Sequence, residues 1–162
     1  MTAPISSGPR RAAPGAGGRT SGHAGLLRRV LVAEDDGLVA LAIADVLIAL
    51  GAERIELCAR ADDAIEIIAQ LRPTLLILDL GLADCGADRS DGWAVAELAR
   101  DLASPSPAII FATVAPERVP RHLARRGQVL RKPFTEQVMI AGVLSAGRPR
   151  GLLARLWDRL AG

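Results

Sequence analysis

From Val30 onward, short apolar runs alternate with longer stretches whose apolar residues fall at helical spacing. Val30–Ala33 (VLVA) is bounded by three acids, Glu34-Asp35-Asp36. A run this short, rich in branched residues and stopped by charge, predicts a buried strand. Leu38–Leu50, with Asp45 as its main polar residue and Gly51 in a C-cap position, predicts a helix. Arg54–Ala59 is a second strand candidate, and Asp62–Leu71 is an amphipathic helix stopped before Pro73. Thr74–Leu80 (TLLILDL) is the most hydrophobic strand. After a loop of Gly, Asp and Cys comes a helix near Gly92–Leu102, broken by Ser104–Pro107. Ala108–Ala112 (AIIFA) is the fourth strand, 116–126 a weak proline-flanked helix, and Gln128–Arg131 the fifth strand. Thr135 can cap a last helix reaching about Ala146.

Strands that read as continuous apolar runs and alternate with helices belong to a parallel sheet covered on both faces. Five such units predict a doubly wound α/β domain over residues 27–146. Residues 1–26 are rich in Gly, Pro, Ser, Ala and Arg, and are expected to be a disordered tail. Residues 147–162 are expected to form a linker, Gly147–Gly151 (GRPRG), and a short amphipathic helix. That helix places Leu152, Leu153, Leu156, Trp157 and Leu160 on one face, with Arg155, Asp158 and Arg159 opposite. Three roles compete for it: packing on its own domain, entering a partner's groove, or resting on an anionic membrane surface.

Charge and composition narrow the function classes. The net charge of +2 conceals an acidic body, in which residues 30–146 hold eleven basic and seventeen acidic residues. Five Arg precede this body, and four Arg with one Asp follow it. A nucleic-acid-binding domain would carry its basic face on the fold itself, and stacking aromatics are scarce, so no nucleic-acid partner is expected. No apolar stretch approaches the roughly 20 residues that span a bilayer, and no signal-peptide pattern is present. A membrane partner is therefore not expected, and a cytoplasmic location is. Cys58 and Cys85 match no metal spacing and read as reduced thiols.

The candidate chemistry lies at the strand ends. Glu34 and Asp35 follow the first strand, Asp79 ends the third, Thr113 the fourth and Lys132 the fifth. In a doubly wound sheet, ligands bind at the carboxyl ends of the strands near the point where strand order reverses. Lys132 is the one lysine among twenty basic residues, a compact ammonium where every other cation is a planar guanidinium. Carboxylates gathered at one rim repel each other, and a hard divalent cation relieves that repulsion. Asp35, Asp79 and a backbone carbonyl just after Asp79, such as that of Gly81, are candidate Mg²⁺ ligands, with Glu34 acting through water. Asp79 is the candidate nucleophile of a phosphoryl transfer, with Lys132 and Thr113 neutralising the phosphoryl oxygens. The competing reading gives Asp79 only a ligand's role, as in a metal-dependent phosphohydrolase.

The ordered motifs VLVAEDD, LLILDL, FAT and KPF, spread over roughly residues 28–146, resemble the receiver domain of bacterial two-component response regulators. The resemblance implies a flavodoxin-like fold for this stretch, to which the pattern of Leu152–Leu160 adds an extra short C-terminal helix. It implies Glu34 and Asp35 as the acidic pair holding Mg²⁺, Asp79 as phosphoacceptor, Thr113 as switch hydroxyl and Lys132 as the lysine before a cis Lys-Pro bond, with Asp36 and Pro133 in support. Phe111-Ala112-Thr113 is similar to the start of the Phe-Ala-Thr-Gly-Tyr motif of single-domain receivers. Val114 and Ala115 depart from that motif, and Val129 stands where ordinary receivers have an aromatic. The expected protein is a stand-alone signalling phosphoacceptor, not an enzyme in the usual sense. Its expected partners are a sensor histidine kinase or histidine phosphotransfer protein and a downstream protein of unknown identity. The alternative is a receiver-like adaptor that binds partners constitutively without phosphorylation.

Overall fold

The computed structural model describes residues 25–82, 91–103 and 105–147. The expected tail up to residue 24, Cys85 and the expected C-terminal amphipathic helix lie outside the described residues.

The chain folds as β1 (Val30–Ala33), α1 (Gly37–Ala49), β2 (Ile55–Cys58), α2 (Ala61–Leu71), β3 (Leu75–Asp79), α3 (Asp91–Leu102), β4 (Ala108–Thr113), a 3₁₀ turn (Pro116–Arg118), α4 (Arg121–Ala124), β5 (Gln128–Arg131) and α5 (Glu136–Ala146). The five strands form one sheet in the order β2-β1-β3-β4-β5, and every pairing is parallel. This is the doubly wound arrangement that the run pattern predicts and the flavodoxin-like order that the resemblance implies, with order reversing between β1 and β3.

Successive strand residues feed opposite faces, which explains why the strands show no polar alternation. Leu31, Leu76, Leu78, Ile109 and Phe111 pack with α2, α3 and α4 residues such as Ile68, Val95 and Leu123. Val30, Val32, Leu75, Ile77 and Ile110 pack on the other face with Ile43, Leu47, Met139 and Val143 of α1 and α5. Packing begins at Leu26, the last residue assigned to the tail, which is buried. Its carbonyl accepts a hydrogen bond from the Thr74 hydroxyl at 2.7 Å.

Local chemistry sets the element ends. The Asp36 carboxylate caps α1 by accepting from the Leu38 and Val39 amides at 2.9 and 3.2 Å. Thr135 caps α5 through the Val138 amide. Gly51 takes a φ of +87° just after α1, a conformation open to glycine at little cost. The stretch 116–126 is less helical than its pattern predicts. Pro120 offers no N–H and takes extended backbone, dividing the stretch into one 3₁₀ turn and one α-turn.

Candidate functional site

Parallel strands bring their carboxyl ends to one edge, and the candidate residues gather there. Asp79 is the last residue of the central strand β3, paired with Ala112 of β4. Glu34 and Asp35 follow β1, the neighbour on the other side. Thr113 closes β4 opposite Arg131, and the Lys132 amide donates to the Thr113 carbonyl at 2.8 Å. The β4–β5 ladder thus carries Lys132 to the rim beside Thr113.

The side chains converge. Lys132 Nζ lies 2.7 Å from Asp79 Oδ2 and 2.5 Å from Glu34 Oε2, forming ion pairs with both. All three side chains are well shielded, at 15%, 10% and 2% exposure. Burial opposes the Lys132 charge, but its hydrogen bonds to Asp79 and Glu34 outweigh that cost and hold its pKa above the ordinary lysine value. Burial, joined by the nearby Asp79 charge, raises the Glu34 carboxyl above its ordinary range despite the bond from Lys132.

The other carboxylate contacts define orientation. Asp79 Oδ1 accepts from the Gly81 amide at 2.7 Å, and a side chain at position 81 would crowd that oxygen. Glu34 Oε1 accepts a long bond from the Asp36 amide, 3.4 Å. Thr113 Oγ1 accepts from the Ala115 amide at 3.1 Å, leaving its hydroxyl proton to point elsewhere. The Lys132–Pro133 peptide is cis, as the resemblance implies.

Oxygen ligand atoms from Glu34, Asp35 and Asp79 lie within 4.8 Å of one another. Such an all-oxygen carboxylate set suits a hard cation of the Mg²⁺ type. Asp35 is exposed whereas Glu34 and Asp79 are buried, so the set opens to solvent on one side.

A cleft of about 860 Å³ opens at this rim, lined by Asp35, Asp79, Gly81, Thr113 and Lys132. It continues along α3, the 3₁₀ turn and α4 past Trp93, Glu97, Arg118 and His122, none of which the strand-end reasoning selects. His122 Nε2 and Glu97 Oε1 meet at 3.2 Å across it. Gly92 was the available signal: a Cβ there would lie 2.6 Å from the Asp79 carbonyl, so α3 approaches the end of β3 through a hydrogen atom.

No family model and no curated protein matches the sequence. Solved structures do match. The signal receiver domain of a protein from Vibrio parahaemolyticus described as a Luxo repressor is 25% identical, with a TM-score of 0.62 over 85% of this chain and 99% of its own. The N-terminal domain of a response regulator/sensory box/GGDEF three-domain protein from Carboxydothermus hydrogenoformans is also 25% identical, with a TM-score of 0.59 over 83% of this chain and 100% of its own. The fold is that of a response regulator receiver domain. A third receiver, from the sensor histidine kinase PA1611 of Pseudomonas aeruginosa, has a magnesium ion coordinated in its active-site cleft. It shares the fold at 20% identity and a TM-score of 0.55, over 72% of this chain and 97% of its own. Among the described residues, no helix of this chain is long and apolar enough to cross a membrane.

Proposed function

We propose that this chain is a response regulator that accepts a phosphoryl group on Asp79 with Mg²⁺. The observation that carries the reading is the Lys132 ammonium held 2.7 Å from Asp79 Oδ2, beside carboxylate oxygens of Glu34, Asp35 and Asp79 gathered within 4.8 Å. A phosphoacceptor carboxylate needs its repelling neighbours neutralised and a cation ready for the incoming oxygens.

In this reading the donor is a phosphohistidine on a sensor kinase or phosphotransfer protein. An Asp79 oxygen attacks phosphorus, the P–N bond breaks, and the imidazole keeps the electron pair. Lys132 meets one equatorial oxygen, and the Thr113 hydroxyl donates to another. Glu34, Asp35 and Asp79 would hold Mg²⁺, with the Gly81 carbonyl as a further ligand. The ion would supply charge neutralisation at the phosphoryl oxygens. The magnesium in the PA1611 receiver cleft supports this assignment. Asp36 supports the site as the α1 cap, and Pro133 shapes the turn after Lys132. The protein would act in the cytoplasm, signalling by protein contact or phosphoryl relay, with no turnover beyond its own phosphorylation and dephosphorylation.

Intact-mass measurement after incubation with Mg²⁺ and acetyl phosphate tests the reading. A gain of one phosphoryl group, lost in Asp79→Asn, is expected. No gain would favour the constitutive adaptor, and donor hydrolysis without an adduct would favour a phosphohydrolase.

A further inference from the structure

Helix α1 is apolar nearly all round, and its outer side leaves Leu38 80%, Leu41 56% and Ile48 63% exposed. Beside this stripe, an apolar groove of about 770 Å³ runs between α1 and α5. Leu38, Ala42 and Val46 form one wall, Phe134 and Met139 the other, and Pro133 lies at one end. The groove's charged lining residues are Asp45, Glu136 and Lys132, and the Lys132 ammonium is engaged with Glu34 and Asp79. The groove therefore presents apolar surface edged by two acids.

The sequence carries a segment of matching character. Leu152, Leu153, Leu156, Trp157 and Leu160 share one helical face, and residues 148–162 hold four Arg against one Asp. The lengths also agree. Helices α1 and α5 each follow a strand of one parallel sheet, so both end at the same side of the domain. From Gly147, the four residues 148–151 reach about 14 Å when extended. Leu152–Leu160 as a helix spans about 13 Å, against about 12 Å from Val46 back to Leu38 along the groove's α1 wall.

We infer that Leu152–Leu160 docks in cis into the α1–α5 groove, antiparallel to α1, with its arginines toward Asp45 and Glu136. The segment then covers the face beside Lys132–Pro133, and a protein partner using that face must first displace it. This docking needs no phosphoryl chemistry, so its test is separate from that of Asp79.

The test uses the full chain with Trp93→Phe, which leaves Trp157 as the sole indole. Acrylamide quenching, emission wavelength and sedimentation velocity are measured with and without Ala42→Arg, a change at an exposed groove position. Leu38→Arg, at another exposed groove position, provides a second variant. The expected result is a monomer whose Trp157 is shielded, with faster quenching and a red shift in both variants while the circular dichroism stays unchanged. Equal quenching in parent and variants would overturn the inference. Shielding that grows with protein concentration, together with a dimer in sedimentation, would overturn it in favour of a second copy. Shielding that appears only with phosphatidylglycerol vesicles would overturn it in favour of a lipid surface.

Discussion

Lys132 and Asp79 stand 53 positions apart in the chain, yet their charged atoms meet at 2.7 Å at the carboxyl edge of the sheet. The same ammonium reaches Glu34 across 98 positions. One lysine thereby ties the ends of β1, β3 and β5 together.

Removing that cation leaves two buried carboxylates facing each other. Lys132→Met is expected to destabilise the protein by about 1–3 kcal/mol at neutral pH in magnesium-free buffer, the scale of a buried charged group left without its partner. Urea denaturation checks this. Added Mg²⁺ is expected to recover part of the loss, because the cation takes over the neutralisation. Lys132→Arg is expected not to restore phosphoryl uptake, since the guanidinium fork is too broad for the space between Glu34 and Asp79.

Isothermal titration with Mg²⁺ is expected to show one site that Asp35→Ala weakens at least tenfold. Asp35 is the exposed member of the cluster, so this substitution should leave the melting temperature nearly unchanged. Binding that survives Asp35→Ala undiminished would remove this residue from the site.

Gly92→Ala places a methyl group 2.6 Å from the Asp79 carbonyl and 2.9 Å from Leu80 Cα, both backbone atoms. The start of α3 must shift away from β3. A cost of about 1–3 kcal/mol is expected, as for other overpacked sites. Thermal melting gives the cost, and the intact-mass assay reports whether Asp79 is still phosphorylated.

Cys58 offers a pH readout away from the rim. Burial, together with the nearby Asp63 charge, raises its thiol pKa to about 11. In Cys85→Ser, iodoacetamide labelling is expected to be slow at pH 8 and to rise steeply toward pH 11. The linkage follows the same sign. The native state holds this proton more tightly than the unfolded chain, whose thiol titrates near 8.5, so the stabilisation is complete below about pH 8 and is lost as pH rises through 11. Rapid labelling at pH 8 in the folded protein would contradict the buried environment.

How much could be read in advance depended on whether the cause was local. The bounds of β1 and β5 agree residue for residue, because each is a short apolar run ended by charge or proline. The ends of β2 and β3 and the start of α2 moved by a residue or so, since Arg54, Thr74 and Ala61 each suit either side of a boundary. Segment 116–126 came out shorter because the proline that flanks a helix pattern also interrupts it. Strand-end logic brought Glu34, Asp35, Asp79, Thr113 and Lys132 to one rim. It could not select Trp93, Glu97 or His122, whose place in the cleft depends on how α3 and α4 pack. Nor could it reveal the α1–α5 groove, since the Leu38–Leu50 pattern does not say which side of an all-apolar helix stays uncovered.

The Lys132 amide donates to the Thr113 carbonyl at 2.8 Å, so the rim hydroxyl and the rim ammonium sit on neighbouring rungs of one ladder. Neither backbone can be displaced far without straining or breaking that rung. A rearrangement beginning at Thr113 would therefore be handed to the turn at Lys132–Pro133, and from there to the start of α5, without any aromatic lever at position 129.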